Sequence, residues 1–219
     1  MTGVRTVALP ILGLDNFCCC DPVLSEKTPD GPYKMAQLVR ANQALLDLCV
    51  PINLPLVSGK DSMKNDFYDG TTKISIPPTL LFSVIGAIPN ISNAVTMDFK
   101  RPGDIICLLG ETKDEIGGSE YLAMQGYTGT KVPKVNISTA LARYKALHQA
   151  IMSGLVASCH DLSDGGLAVA LAESAFSGGF GCRVELANVR FEGDQRYRTD
   201  ELLLFSESAS RLLVTVHPA

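Results

Sequence analysis

The chain has 219 residues, 46% hydrophobic and 19% charged, a balance that allows one large domain or two modest ones and excludes disorder. Its formal charge is -4, and no Lys/Arg cluster supplies the electrostatic footprint of a nucleic-acid binder. No apolar run reaches the length of a membrane span, and no signal peptide opens the chain.

In chain order, residues 4–14 are apolar and β-branched enough for a strand, interrupted by Pro10 and Gly13. Such an abrupt opening is expected of a piece cut from something longer. Residues 21–32 hold Pro, Asp, Ser, Lys and Gly and read as a loop. From 33 to 49, Met35, Leu38, Val39, Leu45, Leu46 and Leu48 recur at helical spacing. A short strand over 54–57 is expected to end in the polar loop Ser58-Gly59-Lys60-Asp61-Ser62, and further strands are expected over 73–76, 80–88 and 94–97. A charged turn at 98–104 marks a domain boundary, placed between 98 and 99, before the buried-type strand 105–109.

Beyond it, Gly117-Gly118-Ser119 leads into a short helix over 121–124, with Ser119 as its cap. A longer helix over 138–153 has Leu141, Tyr144, Leu147 and Ile151 on its inner face. A strand over 155–159, a helix over 167–176 and strands over 183–186 and 211–216 complete the pattern. Strands and helices alternate without a strict βαβ rhythm, which gives an α+β (mixed α/β) architecture in two lobes.

Seven cysteines stand at 18, 19, 20, 49, 107, 159 and 182. None forms a C-x-x-C pair, and the three histidines supply no zinc-finger spacing, so reduced thiols in a cytoplasmic protein are expected. A metal or redox role for the run Cys18-Cys19-Cys20 is disfavoured, because adjacent side chains on an extended segment point to opposite faces.

The strongest local signal is HDLSDGGL at 160–167, where an apolar strand runs through two acids, a hydroxyl and two glycines into a helix. A strand-to-helix turn offers free backbone N–H groups suited to phosphate, and acids beside phosphate call for a hard cation between them. Asp161 and Asp164 therefore point to Mg²⁺. The structural alternative is a helix capped by Ser163 or Asp164, with glycines permitting close packing. The segment SGKDS at 58–62 resembles the tail of a P-loop, but Leu54 stands where the upstream glycine is required and Asp61 follows Lys60. What survives is a polar segment able to meet an anion, with a solvated turn as the alternative. Asp15-Asn16-Phe17 and Glu207-Ser208 read locally as a turn and a loop end. No serine or cysteine stands in a nucleophile elbow and no catalytic base is evident.

The strings PLVSGKDSMKND, IPPTLLFSVIGAI, LLGETKDEIGGSEYL, HDLSDGGLAVALAESAF and LLFSESASRLLVTV, in this order and over nearly the whole chain, resemble one family. It is the synthetase component of phosphoribosylformylglycinamidine synthases, within the aminoimidazole ribonucleotide synthetase superfamily. The resemblance implies most of the second half of an internally duplicated synthetase. Residues 1–98 would form part of a barrel-forming amino lobe on the nucleotide-pocket side, and 99–219 an α/β carboxy lobe. The implied reaction is ATP-driven conversion of formylglycinamide ribonucleotide to its amidine with glutamine-derived ammonia, in de novo purine biosynthesis. The implied partners are the synthetase's first half, a glutaminase subunit or domain and the ribonucleotide substrate, with no nucleic acid and no membrane.

By the same resemblance Asp15 and Gly59 belong to the ATP/ADP pocket, Lys60 adjoins it, and Ser62 lies on the substrate side. Asp161 is implied as a Mg²⁺ ligand and Ser163 as a nucleotide contact of a second, structural site. Some members carry Asn at the position of Lys60, beside a metal; an ammonium cannot ligate Mg²⁺. Ala209 stands where the family's first half has the Gln of a Glu-Ser-Gln substrate loop, which implies a vestigial substrate site. No catalytic residue is carried over, and the piece alone is expected to be inactive. Two other readings stay open: a non-catalytic nucleotide-binding assembly module, and a different superfamily phosphotransferase.

Overall fold

A computed structural model of the chain describes residues 10–218. These fall into two compact units, one ending at Ile88 and the other beginning at Pro89. The opening of the first expected strand, residues 4–9, lies outside the described residues.

In the first unit, strand β1 (Pro10–Cys18) is followed by helix α1 (Gly31–Cys49) and strand β2 (Leu56–Ser62). The short strands β3 (Asp66–Tyr68) and β4 (Lys73–Ser75) form an antiparallel hairpin, and β5 (Thr79–Gly86) closes the unit. The main sheet has the order β2-β1-β5, with β2 parallel and β5 antiparallel to β1. A parallel neighbour requires a crossover, and α1 supplies it. Pro32 sits in the first turn of α1, where its missing N–H costs nothing. Leu38, Ala41, Leu45 and Cys49 then recur along one face of α1, packing with Phe17, Cys19, Leu54, Leu80 and Phe82.

Two sequence expectations are corrected here. Asp15, Asn16 and Phe17 do not follow a strand; they lie inside β1. Ser58 to Ser62 are likewise not a loop but the body of β2, paired along β1 from Leu14–Ser58 to Cys18–Ser62. Between the pairs Gly13–Leu56 and Leu14–Ser58 the register shifts, because β2 holds one more residue, Val57, than β1 does there.

In the second unit, β6 (Ile105–Leu109) precedes the two-residue strand β7 (Thr112–Lys113) and the helices α2 (Glu120–Met124) and α3 (Ile137–Met152). Strand β8 (Ser158–Asp161), helix α4 (Gly166–Gly178), strand β9 (Phe191–Glu192), helix α5 (Asp200–Phe205) and strand β10 (Leu212–Val216) follow. The sheet order is β6-β10-β8, with β10 antiparallel to both neighbours, while β7 and β9 make a short parallel pair. Strand alternation sorts the core into two layers. Ile106, Leu108 and Leu213 face Leu167, Ala170 and Leu171 of α4, whereas Cys107, Leu109, Leu212 and Val214 face Tyr144, Leu147 and Ile151 of α3.

Residues 183–186, expected as a strand, carry none, and 186–188 is a single 3-10 turn; the strand expected over 94–97 is reduced to a single bridge residue, Val95, with the Thr96 carbonyl accepting the Cys159 amide at 3.1 Å. β8 begins three residues later than the expected 155 and runs on through His160 and Asp161. No helix among the described residues is long and apolar enough to cross a membrane.

Candidate functional site

The sequence-derived residues of the first unit meet across β1 and β2, but not as one cluster. Asp15 pairs with Gly59 and shares the α1 side of the sheet with Phe17, as alternation requires. A Cβ on Gly59 would fall 2.6 Å from both the carbonyl oxygen and Oδ1 of Asp15, so glycine is what lets that carboxylate lie across β2. Asp15 is also close enough to Cys49 to add to the burial that pushes this thiol above its ordinary range. Lys60 and Ser62 point the other way, opposite Asn16 and Cys18, on the face that carries the exposed Leu81 and Ile85.

The end of this strand pair is tied off by Asn65. Its Nδ2 donates to the Ser62 carbonyl at 2.8 Å and lies 3.3 Å from Cys18 Sγ, while its own amide donates to the Cys19 carbonyl at 3.0 Å. Ser62 Oγ is 3.4 Å from Asn65 Oδ1. Next to it Asp66 accepts from the Asp21 amide at 2.8 Å and faces Lys73 Nζ at 3.6 Å. All seven cysteines are free thiols.

In the second unit, β8 carries His160 and Asp161 side by side into the turn. Ser163 Oγ donates to Asp161 Oδ2 at 2.6 Å, so the two residues read as metal and nucleotide contacts do stand together. The His160 ring, only 11% exposed, lies between two carboxylates, with Nδ1 at 3.3 Å from Asp161 Oδ1 and Nε2 at 2.7 Å from Glu173 Oε2. The Asp161 carboxylate, joined by that of Glu173 and opposed by burial, holds the His160 pKa above its ordinary 6.5.

The start of α4 departs from the capping reading. Gly165 occupies the cap position at φ 75° with no side-chain cap, so neither Ser163 nor Asp164 caps the helix. One amide at this helix end is already taken: Glu207 Oε1 accepts the Gly165 amide at 2.9 Å. The same oxygen accepts the Glu120 amide at 3.2 Å, at the start of α2. Ser119 does cap α2, its Oγ accepting from the Leu122 amide at 3.2 Å.

Behind Glu207 lies a buried polar network. Arg211, 1% exposed, donates to the carbonyl oxygens of Ser206 and Ser208 and, at 2.9 Å, to Thr112 Oγ1. Ser206 Oγ donates to the Lys113 carbonyl at 2.8 Å, and Ser208 Oγ accepts the Lys113 amide at 3.0 Å. Burial lowers the Arg211 pKa to about 10, against the nearby carboxylates of Glu115 and Glu207. Gly166, at φ 60°, brings the start of α4 against the Ser206 carbonyl. Sequence reasoning missed both Arg211 and the role of Glu207, whose partners lie 42 and 87 residues away.

Among the described residues no three His, Cys, Asp or Glu side chains form a metal cluster. Asp161 and Ser163 offer one carboxylate and one hydroxyl, hard oxygen donors that fit a Mg²⁺ completed by water and phosphate rather than one caged by protein.

Residues 101–219 match the family model described as AIR synthase related protein, C-terminal domain. The chain is 44% identical over 195 residues to a phosphoribosylformylglycinamidine synthase subunit PurL of Alkaliphilus metalliredigens, covering 89% of this chain and 24% of that protein. A PurL of Thermobifida fusca is 38% identical over 193 residues, covering 87% and 23%. The chain thus spans about a quarter of the length of these relatives. Among solved structures, Thermotoga maritima PurL complexed with FGAR superposes with a TM-score of 0.65 at 21% identity, over 97% of this chain and 32% of that one. E. coli HypE, a hydrogenase maturation protein, gives 0.64 at 19% identity, over 96% and 60%. At these identities the structural likeness establishes a shared fold.

Proposed function

Since this chain belongs to the AIR synthase related family, we propose that it is the second-half portion of a PurL-type phosphoribosylformylglycinamidine synthase. The observation that carries this reading is the 44% identity over 195 residues to a subunit of that name. In the proposed reaction ATP phosphorylates the glycinamide carbonyl oxygen of formylglycinamide ribonucleotide, releasing ADP, and glutamine-derived ammonia then displaces phosphate at that carbon to give the amidine. This part supplies no catalytic base. It contributes binding surface and closes the first half of the synthetase, in the cytoplasm, with a glutaminase subunit or domain as the source of ammonia.

Asp15 and Gly59 are assigned to the nucleotide side of the reaction pocket and Ser62 to the substrate side. Lys60 shares its sheet face with Ser62, which supports a contact of its side chain to anionic groups of bound ligand. It does not ligate a metal there. Asp161 and Ser163 are assigned to a second, structural nucleotide site. Asp161 and Ser163 would hold a Mg²⁺ there, whose charge would offset the repulsion between the carboxylate and a polyphosphate. Ser163, hydrogen-bonded to Asp161 at 2.6 Å, would hold the carboxylate's orientation and present its hydroxyl to the ligand. Occupancy of this second site stabilises the folded unit by mass action.

The test is thermal unfolding of this chain with and without Mg²⁺ and ADP, beside an Asp161→Ala control. At a hundredfold excess over Kd the expected gain is about 2.7 kcal/mol, a midpoint rise of roughly 5–10 °C. The control should abolish it. In the intact enzyme, Lys60→Ala should slow turnover while leaving that shift in place. Unchanged turnover in Lys60→Ala, together with no nucleotide-dependent shift in the intact protein, would sink the reading.

A further inference from the structure

Glu207 is set on the most constrained loop of the second unit, and its side chain does something the loop's own fold does not require. The loop is fixed by Arg211, which holds the carbonyls of Ser206 and Ser208, and by the bonds of both serine hydroxyls to Lys113. With its flanking residues buried at 0% and 1% exposure, Glu207 is aimed the other way, toward the starts of two helices. One oxygen, Oε1, takes the amide of Gly165 at 2.9 Å and that of Glu120 at 3.2 Å. Gly166 completes the junction, because only a residue without Cβ can bring the start of α4 onto the Ser206 carbonyl.

The geometry points to Glu207 as a positioning residue that fixes the turn carrying Asp161 and Ser163 and, by placing its own carboxylate at the start of α4, makes polyphosphate binding at that turn depend on a divalent cation. This rests on the assignment of Asp161 and Ser163 to a nucleotide. Helix starts are ordinarily the place where a phosphate finds free amides and a favourable dipole. Here the first such amide of α4 is already taken by an anion from the same chain. A polyphosphate arriving without a cation would meet the charges of Asp161, Asp164 and Glu207 with no compensating donor at Gly165. A cation bridging to Asp161 removes that repulsion, and the Glu207 bond then keeps the turn in place rather than competing with the ligand. The division of labour is therefore between Glu207, which orders the turn, and Asp161 with Ser163, which meet the ligand.

Binding of ADP by the 219-residue chain, measured by calorimetry with excess Mg²⁺ and again with excess chelator, decides this. The Glu207→Gln variant keeps a carbonyl acceptor for both amides and removes the charge. Metal-free ADP should bind it at least tenfold more tightly than wild type, while its affinity for Mg²⁺–ADP changes less than threefold. Glu207→Ala should in addition lose hydrogen-exchange protection at the Gly165 and Glu120 amides, which Glu207→Gln retains. Equal metal dependence in wild type and Glu207→Gln, or unchanged protection of both amides in Glu207→Ala, overturns the proposal while leaving the nucleotide site itself standing. A wild-type chain whose Mg²⁺–ADP binding is absent, or is indifferent to Asp161→Ala, overturns the functional assignment and this inference with it.

Discussion

The two sheets of this protein are built on the same alternation but finished differently. In β6-β10-β8 both faces are covered by helices, and β10 is buried almost end to end, with Leu212 to Thr215 between 1% and 8% exposed. In β2-β1-β5 only the α1 face is covered, and Leu81 and Ile85 on the other face are 61% and 53% exposed. The second unit holds a complete core of its own. The first presents half of one, and an apolar sheet face left open is the kind of surface that marks an interface. That contrast agrees with the proposal that this chain closes against the rest of a larger synthetase.

The contrast can be broken most severely in the second unit. Replacing Arg211 by Met keeps the volume but strands the Ser206 and Ser208 carbonyls and the Thr112 hydroxyl, all buried. A loss of about 3 kcal/mol is expected from urea unfolding of this unit; a loss below about 1 kcal/mol would mean the network is not what holds the loop. Gly166→Ala comes next, at about 2 kcal/mol, since a left-handed residue would have to place a Cβ on the Ser206 carbonyl. The first unit should respond differently. Leu81→Ser with Ile85→Ser should change its unfolding by less than about 0.5 kcal/mol in urea titrations. If those serines cost as much as Arg211→Met, the face is a core and not an interface.

The smallest effect expected is the pH dependence set by His160. Its folded pKa is raised, so the protonated ring is favoured in the native state. The added stability is full below the unfolded value near 6.5 and disappears as pH rises through the higher folded value. The stability difference between wild type and His160→Gln should therefore shrink from pH 5.5 to 8.5. A difference that stays level would remove the ring from the charge balance of the turn.

How far the sequence could be read follows the same divide. The helices α3 and α4 and the strands β6 and β10 declare themselves, because residues such as Leu147, Ile151, Leu167 and Leu213 face a core that repeats at helical or strand period. Segment 58–62 does not, because β2 lies at a sheet edge and is exposed, so its polar residues look like a loop until β1 pairs with it. The reverse error occurs at 183–186, where apolar alternation exists but no ladder forms. Ser119 was legible as a cap because a cap is local. Glu207 was not, since its meaning comes from amides far along the chain. That Asp161 and Ser163 stand together was legible in the sequence, but the Glu207 bond at the adjoining helix start was not.

The extra residue in β2 has a consequence that no side chain carries. Were Val57 to pair with Leu14 in an unbroken ladder, Lys60 would fall opposite Phe17 and its ammonium would be driven into the apolar layer beneath α1, while Gly59 would move to the open face. Val57 is 57% exposed, so many residue types would serve in its place. What the strand depends on is a step: one position left out of the ladder sets the phase of everything after it, and thereby which groups look outward and which look in.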